Sequence, residues 1–252
     1  METVAMIAAL AAGLGAYMWR ARRPEPKQLG SAFDGDAEVA LHVAGHEART
    51  RGQPLTAYHI LYGLLQDEAI TDAVRSIECD PDALEDRVIA ELDRIPAGSI
   101  ELTDDANELL GHAAGAAHHH GRKAGRVDLA VHVQKSEAAP VLDAASWVSV
   151  VFLLVHGRKE PQIGQLGDTI AGDVHVVLRN DDYTTIEFVS ETLCRVFGLA
   201  EVEAKARMMT AHTSGRSVIG RYRIDEARAK IDEARKLAHA GGHPLWIGVE
   251  PV

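Results

Sequence analysis

VHVVLRNDDYTTIEFV, residues 174–189, carries a strand, a turn and the start of a helix in sixteen positions. Residues 174–178 are β-branched and alternating, the pattern of a half-buried strand. Asn180, Asp181 and Asp182 then break it, because their short polar side chains bond to nearby backbone and favour turns. Thr184 with Glu187 three residues on forms a capping box, which predicts a helix beginning at Thr185. Ile186, Val189, Leu193 and Val196 recur at the helical period and define its buried face. Beyond Gly198 the pattern predicts a helix over 202–213, a strand over 217–224, a helix over 225–240 and a strand over 245–250. The last helix holds two tandem heptads, IDEARAK and IDEARKL, with Glu226–Lys230 and Asp232–Lys236 pairs at i,i+4. Gly241-Gly242 ends it. The order βααβαβ describes a small α+β sandwich.

The turn also has a chemistry. Asn180, Asp181 and Asp182, joined by His212, form a cup of hydrogen-bond acceptors, suited to a small cation with several N–H donors such as a free α-amino group. Apolar residues follow the turn (Ile186, Val189) and precede the histidine (Met208, Ala211). Taken singly, the turn is an ordinary connection and the histidine an ordinary packing residue. Together they read as a binding pocket. No nucleophile–base pair or metal set is visible, so an enzyme is not expected and no cofactor is implied.

Upstream, residues 37–155 are helical in pattern, and the pattern repeats. At an offset of 69, Ala37, Leu41, Ala44, Ala48 and Gly52 match Ala106, Leu110, Ala113, Ala117 and Gly121. Glu68 and Ala69 match Glu137 and Ala138 in the same way. Two related helical bundles are expected. Residues 157–172, with their glycines and a proline, read as an interdomain linker. Histidines 118–120 point 100° apart on a helix and cannot share one ion. His46-Glu47 lacks the second histidine of a zinc-protease motif, since Thr50 stands there. Cys79 and Cys194 have no metal-like spacing and read as packed thiols.

The first residues stand apart. Residues 4–19 form an uncharged run followed by Arg20, Arg22, Arg23 and Lys27, an arrangement that keeps the following chain in the cytoplasm. A run of this length reaches about 24 Å as a helix, with Tyr17, Trp19 and snorkelling arginines making up the shortfall. The expectation is a membrane anchor over 1–23, a tether over 24–34, a helical double repeat over 35–157, a linker over 158–171 and the α+β domain over 172–252. The fold class is therefore multi-domain: transmembrane helix, all-α double repeat, then α+β. The protein would sit at the inner membrane face with its domains in the cytoplasm, or be soluble there if the helix is not inserted. The formal net charge of −11 is concentrated in residues 32–157, with 21 acids against 9 bases, whereas residues 168–252 hold 13 against 11. That distribution excludes nucleic acid as the partner.

Two resemblances follow from these motifs. The layout L-x-x-A-x-x-x-A-x-x-x-G (41–52) with TAYHILYGLL (56–65) resembles the double-repeat N-terminal domain of Clp ATPases over roughly residues 32–157. It is weaker in the second repeat, where Gln134 replaces Leu65. The resemblance implies an all-helical module that docks adaptors and substrates. No G-x-x-x-x-G-K-[ST] occurs in the sequence, so the phosphate-cradling loop of an ATPase is missing. The segments VHVVLRNDDYTTIEFV, MMTAHTSGRSVIG and GGHPLWIGVE resemble the ClpS adaptor family, whose members bind proteins with bulky hydrophobic N-terminal residues and pass them to a Clp protease.

Carried over position by position, the resemblance implies that Asn180, Asp182 and His212 hold the α-amino group, with Asp181 shaping the rim. It implies a side-chain pocket of Thr184, Ile186, Val189, Met208, Ala211 and Leu245, and Clp docking through Asp225 and Lys230. Thr185 stands where the family usually has proline, Ile186 where it has a gatekeeping methionine, and Thr213 where it has tyrosine. Partners expected are N-degron-bearing proteins, a Clp ATPase or protease, and, by intramolecular docking, the two domains with each other. Family members deliver cargo with a free flexible N-terminal extension; here that segment is joined to another domain. The alternative is therefore a scaffold or regulator that engages Clp components without delivering cargo.

Overall fold

The computed structural model describes residues 32–166 and 172–252, and the chain divides into two compact units between Asp143 and Ala144. Among the described residues no helix is long and apolar enough to cross a membrane. The expected transmembrane helix is accordingly withdrawn, and the run 4–19 on which it rested lies outside the described residues.

The first unit is all-helical: α1 (Gly35–Arg51), α2 (Ala57–Leu65), α3 (Glu68–Ser76), α4 (Pro81–Leu92), α5 (Asp104–His119) and α6 (Arg126–Val133). The 69-residue repeat is exact at the start of each half. Asp34 caps α1 by accepting from the Ala37 amide at 2.9 Å, and Thr103 caps α5 by accepting from the Ala106 amide at 3.3 Å. Each cap satisfies an amide that the first helical turn leaves without a partner. The halves then clasp one another reciprocally, with Phe33 bridged to Ala124 and Leu55 to Leu102. The Asp34 amide donates to the Ala124 carbonyl at 2.9 Å, and its counterpart, the Thr103 amide, donates to Leu55 at 3.0 Å. These exchanged bonds relate the halves by a pseudo-twofold.

Close approach inside each half depends on small residues. Ala37, Ala44, Ala106 and Ala113 are fully buried, and a side chain at Gly63 would run into the Ala40 carbonyl. The repeat fails at its third helix. Where the first half has α3, the second has only a 3₁₀ turn at Ala139–Val141. Pro140 falls inside it; proline removes an amide donor and disfavours helix at the preceding residue.

The second unit contains α7 (Ala144–His156), β1 (Asp173–Arg179), α8 (Ile186–Phe197), α9 (Glu201–Ser214), β2 (Arg216–Arg223), α10 (Ile224–Ala240) and β3 (Trp246–Pro251). From β1 onward this is the βααβαβ order. The sheet is antiparallel in the order β2-β1-β3, so β1 is central. Val174, Val176 and Leu178 face one side, where α8, α9 and α10 build a core with Leu193, Ile231 and Ile247. Val177 and Trp246 face the other, against Phe152 of α7. The sequence pattern placed 144–157 with the helical repeat; the structure packs this helix in the second unit. AASWVSVVFLLVH is apolar nearly all round, so its sequence signals burial without naming the neighbours.

Part of the linker is also laid down in the second unit. The buried Arg235 of α10 donates to the Pro161 carbonyl at 2.5 Å and the Ile247 carbonyl at 2.8 Å, and pairs with Glu160 at 3.0 Å. His239 meets the same glutamate at 2.9 Å, and Arg228 donates to the Leu166 carbonyl at 2.8 Å. Residues 160–166 therefore form a strap along α10.

Candidate functional site

The register of the sheet brings three chain segments to one end of β1. Its last residue, Arg179, pairs with Arg216 on one side and Trp246 on the other. The next residue begins the acidic turn. The Asn180 amide donates to the Gly215 carbonyl at 3.0 Å, and Gly215 is the left-handed C-cap of α9 (φ 78°). His212 lies in the last turn of that helix, three residues back, and is exposed. Leu245 immediately precedes Trp246 on the opposite flank. The turn thus leaves the central strand between the end of α9 and the entry to β3.

The two aspartates of the turn do different things. Asp181 faces inward: one carboxylate oxygen accepts from the amides of Tyr183 (2.8 Å) and Thr184 (2.6 Å), and the other from the Thr184 hydroxyl (2.9 Å). Burial pushes the Asp181 carboxyl above the usual carboxylate range; these donors and the nearby His156 pull it back. Asp182 is exposed. Because the Thr184 hydroxyl is turned to Asp181, the helix cap passes to Thr185, whose side chain accepts from the Phe188 amide at 3.3 Å. The capping box expected at Thr184–Glu187 is displaced by one residue for that reason.

Below the turn, Val189, Met208, Ala211 and Leu245 share one apolar cluster, each less than a tenth exposed. Ile186, the first residue of α8, is 45% exposed, and Thr184 is half-buried. Asp225 is exposed in the first turn of α10. Lys230 is engaged within the unit: it donates to the Val196 carbonyl at 3.0 Å, stands 3.9 Å from Glu226 and lies over the Tyr222 ring at 5.6 Å. Its ammonium therefore satisfies the end of α8, where cations are favoured.

Three contributors escaped the sequence reading. The inward bonds of Asp181 had no signal in the residues themselves, and only the family resemblance set it apart from Asp182. His156 lay in a helix assigned elsewhere. Arg235 did leave a trace, since it follows Ala227 and Ile231 along the buried face of the helix, where an arginine must find internal acceptors.

Residues 171–248 match the family described as ATP-dependent Clp protease adaptor protein ClpS, and residues 32–132 match the Clp repeat N-terminal domain. Among relatives, the ClpS adapter of Neisseria meningitidis serogroup A is 39% identical over 100 residues, covering 36% of this chain and 97% of that protein. The ClpS adapter of Leptospira biflexa is 49% identical over 70 residues, 28% of this chain and 62% of that one. Among solved structures, Agrobacterium tumefaciens ClpS2 bound to L-phenylalaninamide is 40% identical, with a TM-score of 0.31 over 32% of this chain and 98% of that one. The second unit is thus an adaptor-type α+β domain, carried on a chain that also holds a Clp repeat. The chain belongs to the ClpS family of ATP-dependent Clp protease adaptors.

Proposed function

We propose that the second unit recognises polypeptides by a free α-amino group together with a bulky hydrophobic first side chain, and presents them to a Clp-family ATPase-protease. The observation that carries this reading is the acidic turn, which leaves the central strand beside His212 and above an apolar cluster. A buried ammonium has three N–H donors and needs three acceptors. Asn180, Asp182 and His212 supply them, while Asp181, its oxygens already engaged, holds the turn in shape. An internal peptide residue offers one N–H and leaves the rest unpaired, at roughly 1–3 kcal/mol per group. The first side chain enters among Thr184, Ile186, Val189, Met208, Ala211 and Leu245, where burying a Leu or Phe adds about 1.5–3 kcal/mol. Of the two docking residues, exposed Asp225 takes the contact with the Clp partner and Lys230 supports it from within.

The test is calorimetric titration with L-phenylalaninamide and with peptides beginning in Leu, Arg or N-acetyl-Leu. Binding should be confined to the free amine with a hydrophobic first residue. Equal affinity for blocked and free ligands would end the proposal. A second reading, a Clp-binding scaffold that retains cargo, is favoured by the strap. Residues 160–166, just ahead of the adaptor fold, are pinned to α10 by Arg235, His239 and Arg228. A degradation assay with N-terminal Leu reporters separates the two, since an adaptor accelerates loss of the reporter and a retaining scaffold slows it.

A further inference from the structure

We propose that His156, at the end of α7, is a positioning residue for this site: it holds the Pro244 carbonyl and thereby fixes the Leu245 wall beside the acidic turn. The inference rests on reading that site as an α-amine pocket.

The backbone at the entry to β3 leaves one carbonyl outside the sheet. Pairing with β1 begins at Trp246, so Pro244 lies outside the ladder, and proline has no amide of its own to give. Pro244 is nonetheless buried, and a buried carbonyl needs a donor. His156 Nε2 lies 2.7 Å from it. A carbonyl only accepts, so this nitrogen carries the proton. The ring is fixed from behind by Phe152, whose centroid is 4.4 Å away and which packs with Val177 and Trp246 on the outer face of the sheet. The same side chain is near enough to Asp181 to favour its carboxylate.

One imidazole therefore touches three parts of the arrangement. It rests on the outer face, it bonds to the residue before the pocket wall, and its field reaches the base of the turn. Leu245 points to the opposite side from Trp246, into the cluster with Val189, Met208 and Ala211. Freeing Pro244 would loosen this wall, since the ladder begins only beyond it and the nearest upstream anchor is the His243 amide, bonded to the Ala238 carbonyl at 2.9 Å. The region matching the ClpS family starts at residue 171, after α7, so the brace comes from chain outside that span. In this protein the helix before the adaptor fold finishes a site within it.

The test uses the full chain, with L-phenylalaninamide and its N-acetyl derivative as probes. H156A should weaken phenylalaninamide binding about 3- to 10-fold, the worth of one hydrogen bond. H156Q, which keeps a donor, should recover to within about 2-fold of the parent. H156F keeps an aromatic ring beside Phe152 but has no donor; it should resemble H156A, and it stands in if the alanine variant does not fold. A general loss of stability would lower affinity independently of Leu245, whereas a bracing role predicts non-additivity between H156F and L245A. Binding by H156F within 2-fold of the parent, or simple additivity with L245A, overturns the inference. If the parent itself does not prefer the free amine, it is the pocket reading that fails.

Discussion

Acceptor side chains sit at helix starts in both units, and they are used in opposite ways. In the first unit His59, fully buried, accepts from the Thr56 amide at 3.2 Å and lies 2.9 Å from the Thr56 hydroxyl. At the pseudo-equivalent place Asp128, 1% exposed, accepts from the Gly125 amide at 2.8 Å and from Arg122 at 2.6 Å. Imidazole and carboxylate do the same structural work there, each enclosed. In the second unit the turn before α8 divides the work: half-buried Asp181 bonds to its own turn, while Asp182 and His212 are exposed. A polar group that is buried and bonded to the backbone of its own turn shapes the fold. Under the proposed function, an exposed one is what a ligand meets.

The enclosed groups should register in stability, and His59 most of all. Burial holds its imidazole neutral, with a pKa pushed down to about 4. An unfolded imidazole titrates near 6.5. Between those values the unfolded chain takes up a proton that the folded chain refuses. The contribution is thus complete above pH 6.5, declines as pH falls, and stops declining near 4. Over that window it amounts to about 3 kcal/mol. H59N keeps an acceptor for the Thr56 amide and cannot titrate. Hydrogen exchange of α2 amides at pH 7, 5.5 and 4.5 should show a fall in protection in the parent that is smaller in H59N, where His132, likewise pushed down to about 4 by burial, still titrates. The same fall in both would show that His59 is not responsible.

Next in size is the contrast between the two adjacent aspartates. D181A strands the Tyr183 and Thr184 amides and the Thr184 hydroxyl, and should cost about 2–3 kcal/mol in urea unfolding. D182A should cost less than D181A in urea unfolding, yet weaken phenylalaninamide binding by roughly 5- to 30-fold. If D182A destabilises as much as D181A, the division between enclosed and presented acids is wrong.

The same contrast explains what could be read from sequence. Period and punctuation sufficed for β1, α8, α9, β2, α10 and β3, because each carries a regular apolar pattern and a clear terminator. The repeat was visible through Ala44/Ala113 and Ala48/Ala117, since close helix packing admits only small residues at those places. Two threonines in a row left the cap ambiguous, and the choice between them was made by Asp181, three residues upstream of the nearer one. The assignment of α7 could not be read, because a helix apolar on nearly every side carries no direction. The strap was hidden by composition: GRKEPQIGQL has the residues of a free linker, and only buried Arg235 on a distant helix holds it down. Sequence marks which residues are polar. Whether a polar residue is enclosed or presented depends on partners remote in the chain.

The smallest effect concerns the mouth of the proposed pocket, to which exposed Ile186 is assigned. Isoleucine is branched at Cβ, stiff about χ1 and shorter than methionine. A first residue that is itself β-branched brings its bulk close to its own α-carbon, and so toward whatever side chain lines the mouth. With isoleucine at the margin, valine- and isoleucine-initiated ligands should keep measurable affinity. I186M should reduce their binding relative to L-phenylalaninamide by about 2- to 5-fold, under 1 kcal/mol of discrimination. Stability should not change, because the side chain is already half in water. Competition by valinamide and leucinamide against a fluorescent Leu-initiated peptide measures the ratio directly. If I186M leaves it unchanged, selectivity is set by the enclosed floor of Val189, Met208 and Leu245, and the presented margin contributes only area.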